Sequence, residues 1–113
     1  MDLIFNKNNF NIDMVNLELK NLCSAGDSEN LLKMQLVNEE FLSNILFPNY
    51  ENDVKLSVYK NERGIVLSYE YSGANYLNKI NESTMISLKI LENKAKEVIS
   101  DTKDGKTKVS FII

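Results

Sequence analysis

Two stretches of strict alternation, separated by a four-residue connection, constrain this chain more than any other feature. Val54, Leu56 and Val58 alternate with Lys55, Ser57 and Tyr59, and Ile65, Leu67, Tyr69 and Tyr71 alternate with Val66, Ser68 and Glu70. A period of two places each apolar set on one face of a strand, and the intervening Asn61-Glu62-Arg63-Gly64 has turn composition. The pair reads as two antiparallel strands joined by a hairpin. A second such unit closes the sequence: residues 98–102 and 107–113 flank Lys103-Asp104-Gly105-Lys106, in which Asp-Gly is a strong signal for a tight hairpin turn.

The other apolar positions recur at helical spacing. Ile12, Val15, Leu19 and Leu22 define a first helix, with Ser24-Ala25-Gly26-Asp27 as its stop. Leu31, Met34, Val37, Phe41 and Ile45 form the stripe of a second, longer helix that opens at Asp27 or Ser28 as N-cap, with Glu29 in its first turn. Pro48 disfavours helical geometry in the residue before it, so this helix is expected to end near Leu46 or Phe47 and residues 49–52 to form a loop. Residues 3–5 fit a short first strand and the Asn-rich residues 6–11 a connection. Residues 73–83 make the longest irregular stretch, before a third helix that starts at Ser83 or Thr84 and presents Leu88, Leu91, Ala95 and Val98 on one face. The resulting order, β, α, α, β, β, loop, α, β, β, predicts an α+β two-layer sandwich: a mixed, mostly antiparallel sheet with helices on one face.

A length of 113 residues suits one hydrophobic core, so residues 1–113 are read as a single domain. A net charge of −3 disfavours a nucleic-acid partner, because neutralising a phosphate backbone needs the opposite sign. No run of about 18 apolar residues is present to span a bilayer and no basic leader opens the sequence, so a cytoplasmic protein with no membrane partner is expected. The absence of His and the presence of one Cys exclude Cys-His and Ser-His catalysis and an internal disulfide. Cys23 then reads as a small apolar side chain, and the five tyrosines as strand packing rather than base-stacking platforms. The late lysines are interspersed with Glu92, Glu97, Asp101 and Asp104, which makes a solvated mixed surface out of what could have been a basic patch.

Glu40 and Asn44 lie four residues apart on the long helix and therefore sit one above the other, on the shoulder of its apolar stripe. The run Leu36-Val37-Asn38-Glu39-Glu40-Phe41-Leu42-Ser43-Asn44-Ile45-Leu46 resembles the helix of histidine-kinase-like ATPases, the GHKL superfamily, in which a Glu, three residues and an Asn form a nucleotide-binding box. Downstream, Val66-Leu67-Ser68-Tyr69-Glu70-Tyr71-Ser72-Gly73 is similar to the strand that delivers the family's Asp-x-Gly, with Gly73 kept and Tyr71 in the place of the Asp that reads the adenine amino group. Glu70 points to the opposite face of the strand and is a poor substitute. Where the family has Gly-x-Gly ahead of a helix, Met85 and Ser87 stand instead, which makes close backbone approach to phosphates costly. The closing hairpin and the element order resemble the anti-sigma serine kinases of that superfamily over nearly the whole chain.

The resemblance implies a histidine-kinase-like ATPase fold whose nucleotide motifs are degenerate. By that correspondence Glu40 takes the catalytic position, polarising a substrate hydroxyl, and Asn44 the position that holds magnesium beside ATP, while Gly73 and Tyr71 fall at the cofactor-binding motif. With most of that machinery replaced, the expectation is a regulatory protein-binding domain without a cofactor. Its expected partner is a sigma factor or an antagonist-like protein, with a homodimer as a further option. Two alternatives stand beside it: a divergent but active ATP-dependent serine kinase, and an unrelated small α+β interaction protein. Met14, Met34 and Met85 read as core fillers, although Met85, at the lost glycine position, could instead plug the former pocket.

Overall fold

The computed structural model describes residues 2–23, 28–79 and 81–113. Strand β1 (Asp2–Phe5) leads into helix α1 (Ile12–Leu22) and helix α2 (Ser28–Glu40), which continues as a π-helical segment, Phe41–Leu46. The hairpin β2 (Val54–Asn61) and β3 (Gly64–Ser72) follows, then a 3-10 turn at Tyr76–Lys79, helix α3 (Glu82–Lys94), and the hairpin β4 (Glu97–Lys103) and β5 (Lys106–Ile112). The stop expected at residues 24–27 and the candidate cap Asp27 lie outside the described residues.

Local chemistry accounts for the boundaries. Asn11 caps α1, its side-chain oxygen accepting from the backbone N–H groups of Asp13 and Met14. Asn81 and Thr84 form a reciprocal capping box at the start of α3, which therefore begins one or two residues earlier than its apolar spacing suggests. The closing turn places Asp104 and Gly105 at φ 54° and 77°, the left-handed pair that a two-residue hairpin needs.

The five strands lie in the order β1-β2-β3-β5-β4, and every neighbouring pair is antiparallel. This corrects the expectation of a mixed sheet. A strand, a helix and a strand in succession do bring β4 into the same direction as β3, but β5 folds back between them and separates the parallel pair. One sheet face, carrying Phe5, Leu56, Leu67, Tyr69, Val109 and Phe111, is buried under the helices. On the other face Lys55, Glu70, Lys108 and Asp101 are successive cross-strand neighbours of alternating sign, beside a row of Ser57, Ser68 and Ser110. The late lysines that lie on this sheet thus belong to a mixed polar surface, as their spacing with acids suggests.

The π-helical segment sets the geometry of the site. Glu40 is still helical at φ −61°, so the backbone runs on without a break, but the Phe47 N–H donates to the Leu42 carbonyl at 2.9 Å, five residues back. This wider turn buries Phe41, Leu42, Ile45 and Leu46 together and leaves Ser43 and Asn44 on the outside. Phe41 packs at ring-centroid distances of 4.8 Å from Tyr69, tilted, and 5.3 Å from Phe111, edge-on, which anchors the segment on the middle of the sheet.

Beside this anchor Tyr69 donates its hydroxyl to Asn38 Oδ1 at 2.7 Å, both residues being fully buried, while Asn38 Nδ2 has no partner. Removing one member strands the other, so Tyr69→Phe or Asn38→Leu alone is expected to cost about 1–3 kcal/mol. The double variant strands nothing and also removes the unpaired amide, so its stability should return to that of the parent or exceed it. Urea unfolding of the four proteins checks this, and additive losses in the double variant would contradict it.

Candidate functional site

The end of α2 and the start of α3 enclose a groove of about 430 Å³ lined by Glu40, Ser43, Asn44, Pro48, Thr84, Ile86, Ser87 and Ile90. Glu40 and Asn44 come together there, the Asn44 Nδ2 donating to Glu40 Oε2 at 2.8 Å. A carboxylate only accepts, so this bond turns the amide oxygen of Asn44 away from Glu40 and leaves it as an acceptor. Two acceptors of adjacent residues thus share one wall. Pro48, Ile86 and Ile90 supply an apolar surface.

Tyr71 and Gly73 are not part of that lining. They belong to an aromatic cluster in which the Tyr71 ring lies 5.1 Å from Tyr50 and stacks on Tyr76 at 6.0 Å with the planes 10° apart. The Tyr71 hydroxyl donates to the Ala74 carbonyl at 3.0 Å, and the Tyr50 hydroxyl to that of Asp53 at 3.0 Å. Tyr71 is 3% exposed, so its ring serves as packing and its polar end is consumed within the chain. Gly73, at φ 134°, donates its N–H to the Gly105 carbonyl at 2.8 Å and accepts from Thr107 Oγ1 at 2.7 Å. The glycine that the family motif would use beside a nucleotide here ties β3 to the closing hairpin.

Burial pushes the Tyr71 phenol up to about 12, and Tyr69 rises well above its ordinary value for the same reason. A raised phenol favours the neutral form in the folded protein. Its stabilising contribution is therefore complete below pH 10 and is lost as pH climbs from 10 through about 12. Comparing Tyr71→Phe with the parent isolates this part: the advantage of the parent from the Ala74 hydrogen bond should shrink between pH 10 and 12 and then reverse. A difference in urea midpoint that stays constant with pH would contradict it.

Met85 does not plug the groove. It is 46% exposed and absent from the lining, because the early start of α3 puts it within the first turn and turns Ile86 and Ser87 toward the groove instead. The groove's other lining residues were not anticipated from sequence. Ile86 and Ile90, spaced by four, form an apolar pair off the core-facing residues Ser87, Leu91 and Ala95, and that second stripe is the signal that would have found them.

The lining does not fit a magnesium nucleotide. A triphosphate needs cationic or amide donors, but among the described residues no lysine or arginine lines the groove and the one charged side chain is the carboxylate of Glu40. At the N-terminus of α3 the Thr84 N–H is already taken by the Asn81 side chain at 3.2 Å. Among the described residues, no three His, Cys, Asp or Glu side chains gather as metal ligands, and no helix is long and apolar enough to cross a membrane. The five-stranded antiparallel sheet with three helices makes the chain an α+β protein. No protein-family model matches it, and a search of curated proteins finds no match.

Proposed function

We propose that the chain is a regulatory protein-binding domain, built on a scaffold resembling the anti-sigma serine kinases, in which the nucleotide site is given up and phosphotransfer with it. The observation that carries this reading is the fate of the Asp-x-Gly strand. Tyr71, at the position of the adenine-reading Asp, is packed between Tyr50 and Tyr76 with its hydroxyl bonded to Ala74. The missing glycines at Met85 and Ser87, and the absence of basic residues among the described residues of the groove, support the same reading. The partner class that follows is a sigma factor or an antagonist-like protein, met in the cytoplasm.

One observation favours a second reading, a divergent active kinase: Glu40 and Asn44 remain paired at 2.8 Å on a groove wall. Phosphotransfer separates the two. With labelled ATP, magnesium and purified antagonist-like proteins of the source cell, no transfer is expected, while at least one sigma factor or antagonist should bind the unphosphorylated domain. Label transfer abolished by Asn44→Ala would establish the kinase instead, and no binding to any of these proteins would remove the regulatory reading.

A further inference from the structure

We propose that the groove between the π-helical end of α2 and the start of α3 receives a segment of a protein partner that presents an arginine beside an apolar side chain. This rests on reading the domain as protein-binding and names the chemistry of what it binds. The groove's size, about 430 Å³, is that of a pocket for one or two side chains rather than for a whole helix.

Charge and geometry select the occupant. Among the described residues Glu40 is the only charged one in the lining, it is half-buried, and its Oε2 is held by Asn44. The remaining carboxylate oxygen and the outward amide oxygen of Asn44 form a pair of acceptors on one helix face. A guanidinium, whose planar fork carries several donors, satisfies two such acceptors at once, whereas an ammonium meets them as a single point. An anionic segment would place its charge against Glu40 with no lysine or arginine among the described lining residues to answer it.

The apolar half of the recognition comes from α3. Ile86 is 70% exposed and Ile90 half-buried, and with Pro48 they make a surface that nothing else in the chain covers among the described residues. The arginine stem and a neighbouring leucine would lie on this surface while the guanidinium reaches Glu40. The capping box at Asn81 and Thr84 fixes the first turn of α3, so the wall is formed before the partner arrives.

The test is an NMR titration of the isotopically labelled full chain with two synthetic peptides, Ala-Leu-Arg-Leu-Ala with blocked ends and the same peptide with citrulline for arginine, which keeps the shape and removes the charge. The arginine peptide should shift the amides of Glu40, Asn44, Thr84 and Ile86 and bind about two- to fivefold more tightly than the citrulline peptide, the scale of one exposed ion pair. Glu40→Gln should erase that preference, and Ile86→Asp, at a position too exposed to disturb folding, should weaken both peptides. Equal binding of the two peptides, shifts confined to other surfaces, or no shifts at millimolar peptide would overturn the proposal. Its failure is separable from that of the regulatory reading. A sigma factor or antagonist that binds Glu40→Gln and the parent equally leaves the reading intact and removes this groove as its contact. Arginine-selective binding without any such protein partner does the reverse.

Discussion

Phe41→Ala is expected to cost about 3–5 kcal/mol, the range for deleting a fully buried aromatic ring. Phe41 has no exposed surface, and its ring meets both Tyr69 and Phe111, so its removal opens a void between α2 and the two central strands β3 and β5. The backbone around it has little room to collapse into that void, because the same turn also buries Leu42, Ile45 and Leu46. A domain of this size has roughly 5–15 kcal/mol in total, so the loss is a large share of its stability. Urea denaturation followed by circular dichroism reads the loss. A change below about 1 kcal/mol would mean that the π-helical segment is not anchored on the sheet as described, and with it the placement of Glu40 and Asn44 would be in doubt.

Gly64→Ala is the second large effect. Gly64 opens β3 at φ 137°, where a side chain is strained, and a Cβ built there runs into the backbone carbonyl oxygen of Ile113. That oxygen belongs to a residue whose own N–H is bonded to the Ile65 carbonyl at 2.8 Å, which keeps the Ile113 backbone close against the start of β3. Strain of about 1–3 kcal/mol from the backbone conformation is thus compounded by a clash with main chain. Gly105→Ala is the matched control: φ is again positive, at 77°, but nothing lies within 4 Å of the added carbon. It should lose only about 1 kcal/mol, the ordinary cost of a left-handed residue with a side chain. Equal losses at the two sites would show that the Ile113 carbonyl yields freely.

The contrast between elements shows what the residue pattern carries and what it leaves open. The two hairpins and three helices were legible because period-two and period-3.6 patterns arise from burial of one face and the Asp-Gly turn marks the last hairpin, whereas the caps Asn11 and Asn81 were not read. The antiparallel character of the whole sheet was not, since alternation along a strand says which side is buried but not which strand lies next to it. Only the register places β5 between β3 and β4. The π-helical turn at Phe41–Leu46 was hidden for a related reason: a widened turn changes which backbone groups bond while the residues it buries still read as helical. At the candidate site, Glu40 and Asn44 were readable from their spacing of four, and the structure does bring them together. That Tyr71 packs rather than stacks on a base was readable from its place in a strand, but its partners were not, because Tyr50 and Tyr76 lie 21 and 5 residues away along the sequence and meet it only after folding.

The proposal that this domain binds protein rather than nucleotide is tested most directly by calorimetric titration of the protein with ATP and ADP, with and without magnesium, on the parent and on Asn44→Ala. The account predicts no heat of binding and no thermal shift for either protein in any of these conditions. Magnesium-dependent binding by the parent that Asn44→Ala abolishes would contradict it, and would return the Glu40–Asn44 pair to the service of a nucleotide.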